Sequence, residues 1–174
     1  TRLQGDWSSD VCSSDLAPLL STPETLGGLA SVGPLATSLR RMSDWLRDPS
    51  RTTALVVAIP EAWAVAEAIE LWRELRDRVR VPLARPIANA VFPRRFAPAD
   101  RERLLSARDA GTVDDDLLAA GLYFAERRED EREHLRELRR GTGETPLELP
   151  FVFDPEVRLD RLDPVADALA EVLP

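Results

Sequence analysis

Residues 53–59 read TALVVAI, residues 82–92 read PLARPIANAVF, and a charged, periodic segment lies between them. The first run is short, apolar and rich in β-branched residues, the pattern of a strand buried on both faces. Pro60-Glu61 ends it and opens a helix to about Val79, with Ala62, Val65, Ile69, Trp72 and Val79 on one side. Glu70, Arg73, Glu74 and Asp77 solvate the other side. The second run predicts a strand with Ile87, Ala88, Ala90 and Val91 around Asn89. Strand, helix and strand in this order form a βαβ unit, and such a crossover imposes a parallel sheet. The expected fold class is therefore α/β.

Upstream, Ser21 or Thr22 is placed to cap a helix with Pro23 and Glu24 in its first turn, and Gly33-Pro34 breaks it. A second helix from about Leu35 carries Leu35, Leu39, Met42, Trp45 and Leu46 at helical spacing and stops at Asp48-Pro49. Downstream, helices are predicted over 98–108 and 114–140. The longer one is led by three aspartates, ends at Gly141-Thr142-Gly143, and pairs Glu129/Arg132, Glu133/Arg136 and Glu137/Arg140. LELPFVF at 147–153 reads as a third strand, and a last helix near Leu162 buries Val165, Leu169 and Val172.

The chain has 174 residues and a formal net charge of -8, which disfavours nucleic acid and anionic membranes as general partners. Its 23 basic residues are all arginine. The absence of lysine excludes a phosphate-loop lysine, a Schiff base and a lysine general base within this sequence. One cysteine and one histidine leave no disulfide framework and no ordinary zinc site. Ordinary apolar content without a membrane-length apolar run predicts a soluble chain.

In parallel sheets, ligands bind beyond the carboxyl ends of the strands. That rule selects Pro60-Glu61, Asn89 to Phe92, and Pro150 to Phe153 as the rim of one pocket. The Asn89 amide presents a donor beside an acceptor, the geometry that pairs with N6 and N7 of adenine, or else it satisfies a nearby backbone group. Pro150 and Phe151 offer a flat apolar surface to a purine, or else form a kinked strand with core aromatics. Glu61 reaches towards a ligand or, as the plainer role, stabilises the first turn of its own helix. Arg94-Arg95 forms a small basic loop that contacts a phosphate or solvates a turn. His134 reads as an exposed surface residue, and Trp63 and Trp72 as core. No catalytic residue and no metal ligand is assigned.

LLSTPETLGGLASVGPL at 19–35, VVAIPEAWAVAEAIELWRELR at 56–76, IANAVFP at 87–93 and LELPFVFDPE at 147–156 together resemble the downstream half of an ArsA-type ATPase. This family includes arsenical pump-driving ATPases and ATPases that target tail-anchored membrane proteins. The resemblance spans residues 17–174 and rests on the order and spacing of the segments. It implies the carboxyl-terminal half of a P-loop NTPase-type domain, with the phosphate loop and switch regions upstream and absent here. It further implies that Asn89 contacts adenine and that the loop at Pro150 and Phe151 closes over the base. The implied ligands are ATP or ADP, with magnesium in the intact parent. The implied parent is a cytoplasmic hydrolase, a homodimer at the inner face of a membrane, with a membrane-protein client. The metalloid-binding cysteines and the zinc-binding Cys-x-x-Cys of family members have no counterpart, so neither arsenite nor zinc is assigned.

Residues 6–16, DWSSDVCSSDL, resemble the in-frame translation of a sequencing-library adapter. Residues 1–16 are accordingly expected to be disordered and foreign to the fold, with the natural gene continuing upstream of Ala17. Such a piece is expected to bind nucleotide weakly and to hydrolyse none on its own. The alternative is a non-enzymatic module in which the helices around 22–47 and 114–140 present a surface to a partner or membrane-protein segment, with Leu35, Leu39, Met42 and Trp45 as its apolar stripe.

Overall fold

The apolar runs at 53–59 and 82–92 lie side by side and parallel, as the crossover connection between them requires. In the computed structural model, which describes residues 13–29, 32–111, 113–153 and 162–170, they form β1 (Val57–Ala58) and β2 (Ile87–Val91). The third strand, β3 (Leu147–Pro150), joins the other edge of β2, also parallel, giving the order β1-β2-β3. The helices are α1 (Ser13–Leu29), α2 (Pro34–Arg47), α3 (Ala62–Glu74), α4 (Pro98–Asp109), α5 (Asp115–Thr142) and α6 (Asp163–Ala170). The protein is thus mixed α/β, mostly helical, with a small three-stranded parallel sheet.

The described residues fall into two compact units, within 1–56 and 67–84, and within 57–66 and 85–174. In the first, α1 packs along α2, and the end of α3 tightens into a π-helical turn over Leu75–Val79. Arg80 closes that turn in the left-handed conformation, φ 62°. Trp72, Leu75, Val79 and Val81 are buried there. Residues 13–16 form the first turn of α1, which begins upstream of the expected cap at Ser21 or Thr22; residues 1–12 lie outside the described residues. Pro18 and Pro23 sit inside α1, where each removes a backbone donor. The hydroxyls of Ser21 and Thr22 donate to the carbonyls of Ala17 and Pro18, at 2.7 and 3.1 Å, so both side chains bond back within the helix instead of capping its start.

The second unit holds the sheet. Ile87, Leu147 and Leu149 form a core against Val165, Ala168 and Leu169 of α6. Val57, Ile87 and Leu147 are register partners and share this face, yet Val57 at the edge stays open. Strand β1 is therefore not buried on both faces: Leu55, Val57 and Ile59 are exposed while Val56 and Ala58 are buried, an alternation set by the edge position. Trp63 corrects a second expectation. It is 77% exposed, whereas Trp72 is core. Ala62, expected on the apolar side, is exposed as well.

Helix α5 starts and stops where its caps direct. Asp114 accepts the N–H groups of Asp116 and Leu117 at 3.0 and 3.2 Å, and Gly143 ends the helix at φ 79°. Arg85 donates to the carbonyls of Thr145 and Pro146 at 2.6 and 3.2 Å, fixing the entry to β3 beside β2. Val172 lies outside the described residues.

Candidate functional site

The carboxyl end of β2 is irregular. Ala88 pairs with Glu148 and Val91 with Pro150, so Asn89 and Ala90 together face the single residue Leu149. This is a β-bulge, and Ala90 within it adopts φ 60°, a left-handed conformation that an alanine takes only under constraint. The bulge leaves Asn89 exposed, and its carboxamide has no hydrogen-bond partner among the described residues. Two residues on, the Val91 carbonyl accepts the Phe151 N–H at 2.8 Å. Asn89 and the Pro150-Phe151 pair thus lie on adjacent strands, which run about 4.8 Å apart, at the same end of the sheet. The plain alternative for Asn89, satisfaction of a neighbouring backbone group, is not what its amide does here.

Phe151 is already part of an aromatic cluster. Its ring stacks on Phe92 with centroids 4.7 Å apart and an interplanar angle of 26°, and meets Phe153 at 4.7 Å and 62°. Phe124 of α5 completes the group against Phe92 and Phe153. Phe151 remains 37% exposed, so the cluster uses part of the ring and leaves part open. Arg95 places its guanidinium over Phe124 and Phe153 at 5.4 and 5.1 Å. Of the two basic-loop residues, Arg95 therefore serves the aromatic cluster.

Glu61 sits one residue before α3, and its carbonyl accepts the Val65 N–H at 2.9 Å, the role of a helix-capping residue. Its carboxylate is not spent on the first turn. Instead it accepts from Arg127 Nη2 at 2.9 Å. That hydrogen bond raises the Arg127 guanidinium above its ordinary pKa, against the desolvation that lowers it. Arg127 also lies over the Phe92 ring at 5.3 Å.

The residue that organises this end of the sheet is Glu131, and the sequence pattern hid it. It falls in the charged half of α5 yet is only 1% exposed. Its Oε2 accepts the Phe92 N–H at 3.1 Å, at the exit from β2. Arg128 Nη1 approaches the same oxygen at 3.4 Å, and Arg128 Nη2 donates to Glu148 of β3 at 3.2 Å. Arg127 Nε stands 3.6 Å from Glu131 Oε1, two buried atoms with no other partner among the described residues. A chain of alternating charge therefore runs Glu61–Arg127–Glu131–Arg128–Glu148 and ties all three strands to α5. A carboxylate buried this fully is tolerable because two guanidiniums and a backbone N–H compensate its lost hydration. The periodicity of an exposed stripe gives no sign of it.

His134 is partly buried, not exposed, with Nδ1 4.0 Å from Glu137 Oε2. Arg140, expected to pair with Glu137, reaches Glu133 at 3.1 Å. Among the described residues no group of three or more His, Cys, Asp or Glu is placed to hold a metal ion. Cys12 lies outside the described residues. No described helix is long and apolar enough to cross a membrane. No protein-family model matches the chain, and no curated protein matches it at a significant level.

Proposed function

We propose that the chain is the adenine-recognising portion of an ArsA-type ATPase, a P-loop NTPase-type protein whose phosphate-binding loop lies in sequence outside this chain. The observation that supports it best is the exposed, unbonded Asn89 amide on a bulge beside Pro150 and Phe151. In this reading Asn89 pairs with the N6 and N7 edge of adenine, and the open part of Phe151 lies against the purine. Glu61 and Arg127 support the rim through Phe92. Hydrolysis belongs to the parent, whose phosphate clamp and magnesium this lysine-free chain does not supply. The homodimer, the membrane-protein client and the location at a cytoplasmic membrane face are parts of the same proposal.

The test is calorimetric titration of the 174-residue chain with ATP, ADP, adenosine and GTP. Adenosine and ATP are expected to bind weakly and alike, both ahead of GTP, because only the base is read. Asn89→Ala is expected to lower the affinity about tenfold, within the range for loss of a bidentate amide–adenine pair. Equal binding of ATP and GTP, or an unchanged Asn89→Ala variant, would defeat the reading, as would turnover by the chain alone.

A second reading, a non-enzymatic module that binds a partner helix, has one observation in its favour. Leu35, Met42 and Trp45 of α2 are all exposed rather than packed inward. Substituting Met42 and Trp45 by serine abolishes client binding in that reading and leaves nucleotide affinity unchanged in the first.

A further inference from the structure

Along α5, on the flank bounded by α4 and by the entry to β3, runs an open groove of about 640 Å³. Six arginines line it, Arg94, Arg101, Arg128, Arg132, Arg136 and Arg139, against four carboxylates. A chain of net charge -8 thus concentrates a local positive surplus in one concave surface. Arg94 near one end and Arg139 near the other make no ion pair with any described residue. Arg128 keeps its buried Nε without an acceptor among them. Arg132 and Arg136 are paired, but with the glutamates three residues earlier on their own exposed helix face. Such pairs contribute little and yield readily to a competing carboxylate.

Spacing identifies the ligand. Arg128, Arg132 and Arg136 recur every fourth residue, which sets them about 6 Å apart along the helix axis. Alternate side chains of an extended peptide on one face recur about every 6.6 Å. We propose that this groove binds an extended acidic peptide whose alternate carboxylates pair with Arg132 and Arg136, and whose flanking acids reach Arg139 and Arg94. Guanidinium forks accept carboxylates in a planar, two-bond geometry, so arginine suits this task better than lysine. The proposal does not depend on adenine recognition at the strand ends.

Fluorescence anisotropy with a labelled peptide of alternating Glu and Ser tests it on the 174-residue chain. Saturable binding that weakens as salt rises is expected. A peptide of the same composition with its glutamates in one block is expected to bind several-fold more weakly. Arg136→Glu with Arg139→Glu is expected to lower the affinity at least about tenfold. Arg140→Glu, which reverses a charge on α5 outside the groove, is expected to change it less than about twofold. Circular dichroism and the urea midpoint show that each variant is folded. No saturable binding, an equal loss in Arg140→Glu, indifference to glutamate spacing, or tighter binding of inorganic polyphosphate than of the alternating peptide would each overturn the proposal.

Discussion

Glu131 and Ala90 show how single residues set the geometry of the strand ends. Glu131 is held by the Phe92 N–H and two arginines, so its charge has compensation only while that arrangement persists. Glu131→Gln keeps the shape and removes the charge, leaving Arg127 and Arg128 short of a counter-ion. It is expected to destabilise the fold by about 3 kcal/mol, read from urea denaturation midpoints, at the low end for a broken buried pair because both arginines reach solvent. A loss below about 0.5 kcal/mol would show that the guanidiniums find Glu61 and Glu148 sufficient. Ala90 is the converse case. At φ 60° its Cβ meets the steric penalty of the left-handed region, and glycine does not. Ala90→Gly is expected to raise stability by about 0.5–1 kcal/mol, since the relief exceeds glycine's entropic handicap. The same thermal or urea measurement checks it, and a destabilised variant would mean that the bulge is not strained at that position.

Elements with strong ends were legible in the sequence; those defined by their neighbours were not. Asp114 and Gly143 fixed α5 to within a residue or two, because a cap side chain and a left-handed glycine act locally. Asp114→Ala removes the acceptor for two N–H groups and is expected to cost about 1 kcal/mol of stability, measurable by denaturation. The run at 53–59 reads as doubly buried because an unbroken apolar sequence does not reveal whether the strand has one neighbour or two. That the strands are parallel, with their carboxyl ends on the same side of the sheet, is legible because parallel topology follows from element order alone. Arg127, Glu131 and Phe124 went unseen there, because their burial depends on which face of α5 meets the sheet.

The turn after α2 carries its own titration. The Ser50 hydroxyl and N–H donate to Asp48 at 2.7 and 2.9 Å, and with Arg51 they hold its carboxyl below the ordinary carboxylate range. A depressed folded-state pKa stabilises the fold above the unfolded value and loses that contribution as pH falls through the folded one. Asp48→Ala is therefore expected to lower stability at neutral pH and to make a smaller difference at about pH 3. Urea midpoints at the two pH values check the sign, and a larger effect in acid would reverse it.

For the molecule as a whole, the open face of the sheet edge governs behaviour in solution. Val57 of β1 and Ile59 just after it are exposed, Trp63 follows at the start of α3, and β1 has no strand partner on its outer side among the described residues. An apolar strand with unpaired backbone groups invites pairing with another chain, and net repulsion from a charge of -8 opposes it only at long range. The chain is accordingly expected to self-associate at micromolar concentration, and more so as salt screens the repulsion. Val57→Lys places a charge at the open edge of the sheet, next to the buried Ala58 and beside its register partner Ile87, and lysine on an edge strand disfavours edge pairing. Sedimentation velocity is expected to show the variant shifted towards monomer at a concentration where the parent chain forms larger species. A parent chain that stays monomeric as salt rises, or a variant that associates equally, would mean that this edge is protected and that the apolar face of β1 is not what draws copies together.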